Sequence, residues 1–291
     1  MDGFINVLKP TGLSSHDVID IVRRIFKQKR VGHAGTLDPA AAGILPVALG
    51  RAARLVEYME GADKSYRAEI AFGYATDTGD VYGDVIESVP HPVLPSDEDL
   101  RAVLARFVGE IAQRPPAYSA IKVGGQRAYD LARQGAEVEI EARTVTIHRL
   151  ELVHTDAARR RILVDVDCAK GTYIRSLCAD IGAALGLPAT MHFLLRTRVG
   201  GFVLADSHTL EELAEEGERA VCAPDTALDL PCYELDPQRV KAFYSGLSTS
   251  ERRLPLAEGF YRVYAEGVFL GIGRYDAAAQ EMYPAKAFPP V

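Results

Sequence analysis

The sequence predicts an α+β protein, and three features of its 291 residues support this. Residues 65–74 alternate between apolar and polar side chains, as a half-buried strand does. Val18, Ile21, Val22 and Ile25 recur at the spacing of an amphipathic helix. After residue 230 the pattern changes to short strands. We therefore expect a large domain over residues 1–230 and a small β-rich domain over residues 231–291.

The individual elements follow from turn and cap residues. Ser14 or Ser15 is expected to cap the first helix, and Ser96 a later one that begins with acidic residues. Gly186 and Pro188 end a helix predicted over 172–185. Further helices are expected over 51–59 and around 211–218. Strands are expected over 3–8, 44–49, 65–74, 138–152, 161–168, 260–265 and 268–273.

Composition excludes several classes of protein. Hydrophobic residues make up 48% and charged residues 25% of the chain, the balance of an ordinary globular protein. No apolar run approaches the roughly 18–20 residues that span a bilayer, and the start lacks a basic signal-peptide region, so we expect a cytoplasmic protein. The four cysteines show no Cys-x-x-Cys spacing, which predicts reduced core cysteines and no metal site.

The net charge of −7 is unevenly distributed. Ten acidic residues face one basic residue within 206–236, and the remainder of the chain carries a formal charge of +2. This balance argues against indiscriminate coating of nucleic acid, since non-specific affinity comes mainly from phosphate neutralisation. It leaves room for specific binding through a local basic face, to which residues 23–30 would contribute.

Asp38 lies in a predicted loop, residues 31–39, that contains two glycines and a proline. A carboxylate held in such a loop can be directed at a substrate. It can equally cap a helix that begins at Pro39. The residues alone leave both interpretations open.

A second group of aspartates allows a different chemistry. Asp77, Asp80 and Asp84, with Asp38, could hold magnesium for a phosphohydrolase, because hard cations take carboxylate ligands. The sequence has neither a dinucleotide-binding glycine fingerprint nor a phosphate-binding P-loop, so no cofactor is expected.

Six blocks in order resemble the bacterial tRNA pseudouridine-55 synthases, the TruB family. They are KPTGLSSHD at 9–17, GHAGTLDP at 32–39, KSY at 64–66, DTGD at 77–80, RPPAYSAIK at 114–122 and GTYIR at 171–175. The resemblance spans residues 3–203, with a weaker match at the C-terminus to a small RNA-binding PUA-like domain.

The resemblance implies a fold, a reaction and a partner. The fold would be a mixed, mainly antiparallel sheet flanked by helices, with an RNA-gripping insertion near 115–140 and a PUA-like domain over 231–291. The reaction would convert uridine 55 in the T-loop of tRNA to pseudouridine, a redox-neutral change that needs no cofactor. A monomer bound to the tRNA T-arm would suffice. A non-catalytic module that binds the tRNA elbow is the alternative.

Three residues would carry the reaction by resemblance. Asp38 would be the nucleophile, since an ionised carboxylate can form and later release an ester. Arg175 would pair with Asp38, although by position alone it could be an exposed helix residue in a surface salt bridge. Tyr66 would stack on the uracil and assist a proton transfer, although a tyrosine in an alternating strand more often packs in the core.

The remaining site residues would bind RNA. His33 would replace the stacking of the flipped base, or else bond its own loop backbone. Tyr173 and Leu194 match pocket positions, and Asp80 lies in a matching block. The expected phosphate contacts are Lys9, Lys122, Arg127 and Arg196. The chain departs from the family pattern at Ala34, Ala40, Ala42 and Leu195, which affects loop packing and one RNA contact but not the nucleophile.

Overall fold

The computed structural model describes residues 1–119, 121–134, 140–252 and 254–289. The strands are β1 (Gly3–Lys9), β2 (Val31–His33), β3 (Ala41–Leu49), β4 (Lys64–Phe72), β5 (Tyr74–Thr76), β6 (Val85–Ser88), β7 (Gly109–Gln113), β8 (Lys122–Val123), β9 (Gln126–Arg127), β10 (Arg143–Asp156), β11 (Arg161–Cys168), β12 (Ala189–Val199), β13 (Phe202–Val203), β14 (Cys232–Glu234), β15 (Thr249–Ser250), β16 (Gly259–Ala265), β17 (Val268–Asp276) and β18 (Glu281–Ala287). The helices are α1 (Ser15–Ile25), α2 (Asp97–Ala105), α3 (Ala128–Arg133), α4 (Ile174–Ala184), α5 (Leu210–Glu216) and α6 (Val240–Tyr244).

The larger sheet has the strand order β1-β3-β12-β4-β11-β10-β7, with β2 paired to β3 and β13 paired to β12. β12 and β3 run parallel, and the other pairs in this sheet are antiparallel. This parallel pairing sets Leu194 opposite Ala41, so β12 reaches the start of β3. The predicted mixed, mainly antiparallel sheet flanked by helices is confirmed.

Helices cover different parts of this sheet. Helices α2 and α4 bury apolar side chains against β4, β11 and β12, whereas α1 packs on β1, β2 and β3. Ser14 is the cap of α1, and it forms a reciprocal capping box with Asp17. Ser15, the other candidate cap, is the first residue of the helix. Its side chain is buried and does not cap the helix, so its hydroxyl can bond a neighbouring loop.

Several boundaries differ from the predicted ones. The segment predicted as a helix over 51–59 is a 3-10 helix, Gly50–Met59. The acidic segment forms a helix of seven residues, α5, capped by Thr209. The strand predicted over 65–74 is interrupted at Gly73, whose φ of +102° breaks the extended conformation between β4 and β5. Of the helices in the described ranges, none is both long enough and apolar enough to cross a membrane.

The C-terminal β domain is built on the order β14-β16-β17-β18-β15. It packs on the larger domain through Ile272 and Phe288, which join an apolar cluster with Phe4 and Leu55. Lys286 adds an ion pair to Glu57 of the larger domain, with a distance of 2.9 Å between Nζ and Oε1. The two sheets therefore share one apolar contact surface.

A substitution at Gly43 in β3 tests the close approach of β3 and β12. Its φ is +116°, and a Cβ there would collide with the backbone of Arg196. We expect Gly43→Ala to lower the free energy of unfolding by more than about 1 kcal/mol in urea denaturation. Gly61→Ala is the matched control, because a Cβ at Gly61 meets nothing within 4 Å. Equal urea midpoints for Gly43→Ala and Gly61→Ala would show that β3 and β12 do not approach closely at Gly43.

Candidate active site

Asp38 lies in a loop of residues 34–40, here called the Asp38 loop, that connects β2 to β3. The Ser15 hydroxyl accepts a hydrogen bond from the Leu37 N–H at 2.8 Å and donates one to the Leu37 carbonyl at 3.0 Å. The Gly12 N–H donates to the Pro39 carbonyl at 2.8 Å. The chain then enters β3 at Ala41, so no helix begins at Pro39 and the helix-cap interpretation of Asp38 is wrong.

Arg175 holds Asp38 from the other side. Its Nε donates to Asp38 Oδ2 at 2.9 Å, its Nη1 to the Thr78 carbonyl and its Nη2 to the Tyr118 carbonyl, both at 2.8 Å. The Arg175 side chain is 6% exposed, so its interpretation as a surface salt bridge is wrong. The Asp38 side chain is 38% exposed. The carboxylate is therefore fixed on one side and accessible on the other.

The first turn of α4 presents Arg175, and a buried glutamine fixes that turn. Gln113 Oε1 accepts a hydrogen bond from the Tyr173 N–H at 2.8 Å, and Gln113 Nε2 donates to the Tyr173 carbonyl at 3.1 Å. Tyr173 is the N-terminal cap of α4 and has no side-chain cap bond. Gln113 is thus a site residue that the sequence did not indicate, apart from its position just before the RPPAYSAIK block.

Asp80 orders the turn that carries the Thr78 carbonyl. Its Oδ1 accepts hydrogen bonds from the Thr78 hydroxyl at 2.8 Å and the Tyr82 N–H at 3.0 Å. Asp80 is buried, which argues against direct contact with RNA. It acts on Asp38 through Thr78 and Arg175, as a positioning residue.

Asp77 links the same turn to the segment that precedes β8. Its Oδ2 accepts a hydrogen bond from the Tyr118 hydroxyl at 3.1 Å, and its Oδ1 accepts one from the Asp84 N–H at 2.9 Å. The two carbonyls that hold Arg175 therefore belong to segments that are bonded to each other.

Tyr66 lies in β4 opposite Arg196 of β12, in an apolar cluster that includes Leu37, Ala41 and Leu194. Burial raises the pKa of Tyr66 to about 12, the positive Arg196 opposes this shift, and the negative Asp38 adds to it. Burial also raises the pKa of Tyr173, with a further contribution from Asp38. The charge of Asp38 thus acts on both phenols, and Tyr66 is a neutral phenol at pH 7.

Lys9 and Arg196 are buried, contrary to expectation. Both were expected to contact phosphates, but they are 0% and 1% exposed. Lys9 Nζ donates to the Ala41 carbonyl at 2.6 Å. Arg196 donates to the carbonyls of Ile44, Thr36 and Gly35 at 2.9–3.3 Å. Their donors are turned inward to backbone carbonyls, so these cations anchor the Asp38 loop and its neighbour β3.

His33 and Lys122 are two further residues expected to bind RNA. His33 ends β2 and lines a cavity of about 320 Å³ with Thr36, Met59 and Lys64. Burial lowers the pKa of His33, and its Nδ1 is buried with no hydrogen-bond partner among the described residues. Lys122 is exposed on the β8–β9 hairpin. The side chain of Arg127 lies outside the described part of the chain, as do residues 120 and 135–139 of the insertion.

Comparison with known families agrees with this geometry. The family model described as "TruB family pseudouridylate synthase (N terminal domain)" matches residues 23–174, and "tRNA pseudouridylate synthase B C-terminal domain" matches residues 175–229. The chain belongs to the TruB family. The resemblance drawn from the six sequence blocks is confirmed, and with it the class of enzyme.

Curated relatives with the name of this enzyme class cover most of the chain. A protein of Caldanaerobacter subterraneus subsp. tengcongensis named tRNA pseudouridine synthase B is 44% identical over 289 residues, 99% of each chain. A protein of Moorella thermoacetica with the same name is 52% identical over 230 residues, 77% of this chain and 75% of that one. Among solved structures, "Structure of H/ACA RNP bound to a substrate RNA containing 2'-deoxyuridine" matches with a TM-score of 0.76 and 25% identity, over 99% of this chain and 85% of that one.

Neither alternative function is supported. Within the residues that the structure describes, no group of three or more His, Cys, Asp and Glu side chains is arranged to hold a metal ion. Asp77 and Asp80 instead accept hydrogen bonds from their own turn and from Tyr118. A module without catalysis does not agree with a chain that belongs to a synthase family and holds an accessible carboxylate.

Arg175→Lys tests whether the three-way contact matters. An ammonium lacks the planar fork that reaches Asp38, Thr78 and Tyr118 together, so we expect the rate of pseudouridine formation to fall by about 100-fold or more. Arg67→Lys is the matched control, because Arg67 pairs with Asp165 on the exposed sheet face at 2.7 Å and is 46% exposed. Similar rates for both variants in a single-turnover assay would contradict this role of Arg175.

The protonation of Tyr66 can be measured directly. With a pKa of about 12, Tyr66 stays protonated at pH 10, where an unperturbed tyrosine is half ionised. We expect the phenolate absorbance at pH 10 to be the same in the wild type and in Tyr66→Phe. A loss of about half a phenolate in the variant would show that Tyr66 titrates normally and is not buried as described.

Proposed function

We propose that the chain converts uridine 55 in the T-loop of tRNA to pseudouridine, with Asp38 as the nucleophile. The observation that carries this proposal is the Asp38 carboxylate, held at 2.9 Å by the buried Arg175 and accessible on its other side. Membership of the TruB family supports the reaction. The names of the curated relatives support tRNA as the substrate.

The reaction breaks the bond between ribose C1′ and uracil N1 and forms one between C1′ and C5. The C5 proton is lost and N1 gains a proton, so the atoms balance without a group donor. Attack by the Asp38 carboxylate, on the sugar or on the uracil ring, gives a covalent intermediate that collapses to product. An aspartate is already ionised at neutral pH, so no base has to activate it.

Arg175 positions the Asp38 carboxylate. The Thr78 and Tyr118 carbonyls hold its guanidinium, and the guanidinium holds the Asp38 carboxylate in one orientation before substrate arrives. This lowers the entropic part of the barrier. Tyr66 supports the base as a neutral phenol, by stacking and by donating a hydrogen bond. Because its pKa is about 12, Tyr66 is present as the neutral phenol at pH 7.

The target base is stacked in a folded loop, so flipping it costs a few kcal/mol that contacts with the protein must offset. His33, beside the Asp38 loop, would fill the vacated stack. Tyr173 and Leu194 would border the pocket that receives the base. The exposed Lys122 on the β8–β9 hairpin and the C-terminal β domain, which we propose is PUA-like, would grip the remainder of the T-arm. We propose that the chain acts as a monomer, in the cytoplasm where its tRNA substrate resides.

Tritium release from carbon 5 of labelled uridine in a T-arm transcript tests the proposal. We expect release by the wild type and none by Asp38→Asn, which should still bind the transcript in a filter assay because the neutral amide preserves the shape of the side chain. Asp84→Asn is the control, since Asp84 is an exposed aspartate in the nearby turn, and it should keep full activity. Equal release by wild type and Asp38→Asn would defeat the proposal.

A further inference from the structure

A second cavity, of about 300 Å³, lies at the end of β4 opposite to Tyr66. It is bordered by the last residues of β4, by Pro90, His91 and Pro92, and by the β10–β11 hairpin at residues 159–161. Tyr66 and Phe72 are six residues apart on one strand, which corresponds to about 20 Å. The cavity is therefore separate from the Asp38 site, and the reaction proposed above makes no use of it.

The lining of this cavity is positively charged. It includes Arg159, Arg160, Arg161 and His91, and none of its lining residues is acidic, although the chain carries a net charge of −7. Arg159 is paired with Asp156 at 2.8 Å and Arg161 with Glu69 at 3.4 Å. Arg160 and His91 take part in none of the ion pairs in the described ranges. Arg160, which is positively charged, and His91 therefore line the cavity without a paired carboxylate in the described part of the chain.

Both residues also have an unusual backbone conformation. Arg160 has a φ of +56° and His91 a φ of +50°, in the left-handed region that disfavours residues with a Cβ. They are two of the five non-glycine residues with positive φ in the part of the chain that the structure describes. Glycine would relieve both positions, and a basic side chain stands at each of them.

We propose that this cavity binds a phosphate oxyanion, with Arg160 as the main contact and His91 as a second donor. A guanidinium presents two parallel N–H groups that match two phosphate oxygens. The volume is sufficient for one or two phosphate groups. The same chemistry serves a free phosphate compound or a phosphate of an RNA backbone, and the two sources can be separated by experiment.

Calorimetric titration of the full chain with pyrophosphate tests the site. We expect saturable binding of one pyrophosphate per chain, weakened about tenfold or more by Arg160→Gln, since a charged hydrogen bond is lost. Arg219→Gln is the matched control, because Arg219 is an exposed arginine outside the cavity, and it should bind as the wild type does. Thermal unfolding of each variant checks the fold, and His91→Gln gives a second reading if Arg160→Gln fails to fold.

The salt dependence of T-arm RNA binding identifies the source of the phosphate. If the cavity holds an RNA phosphate, the slope of log affinity against log salt should become shallower by about 0.7–0.9 in Arg160→Gln. If it holds a free phosphate compound, the slope is unchanged while pyrophosphate binding is weakened. Arg160→Gln behaving as the wild type in both measurements would overturn the site, and would leave the assignment of Asp38 untouched.

Discussion

The ion pair between Arg175 and Asp38 is the interaction on which the rest of the site depends. One guanidinium binds the carboxylate and two backbone carbonyls, those of Thr78 and Tyr118, with distances of 2.8–2.9 Å. These three acceptors come from segments far apart in sequence. Each segment must fold correctly before the guanidinium is satisfied, so the position of the Asp38 carboxylate follows from the fold of the whole domain.

Buried polar groups form a second layer around this pair. Ser15, Lys9 and Arg196 bond the backbone of the Asp38 loop and of β3, and Gln113 bonds the start of α4. Burying a lysine and an arginine costs free energy that is recovered only when their donors are satisfied. Carbonyls of the Asp38 loop and of β3 satisfy these donors, so the bonds hold the carboxylate in a defined position.

The sequence could predict the residues whose motifs are contiguous, and it could not predict burial. Asp38, Tyr66 and Arg175 stand in recognisable blocks, and the alternation along β4 located the strand that carries Tyr66. The burial of Lys9 and Arg196 has no sequence signal, because a cation in sequence looks the same whether it meets a phosphate or a buried carbonyl. Gln113 and Ser15 bond backbone atoms 60 and 22 residues away, and such contacts leave no local pattern.

The central claim is that the location of the carboxylate, and not its charge alone, allows the reaction. Asp38→Glu tests this most directly, because it keeps the charge and shifts the carboxylate by one methylene group. We predict that its single-turnover rate of pseudouridine formation falls by about 100-fold or more while its affinity for the T-arm transcript is unchanged. A rate close to that of the wild type would contradict the account, since the contacts around Arg175 would then be unnecessary.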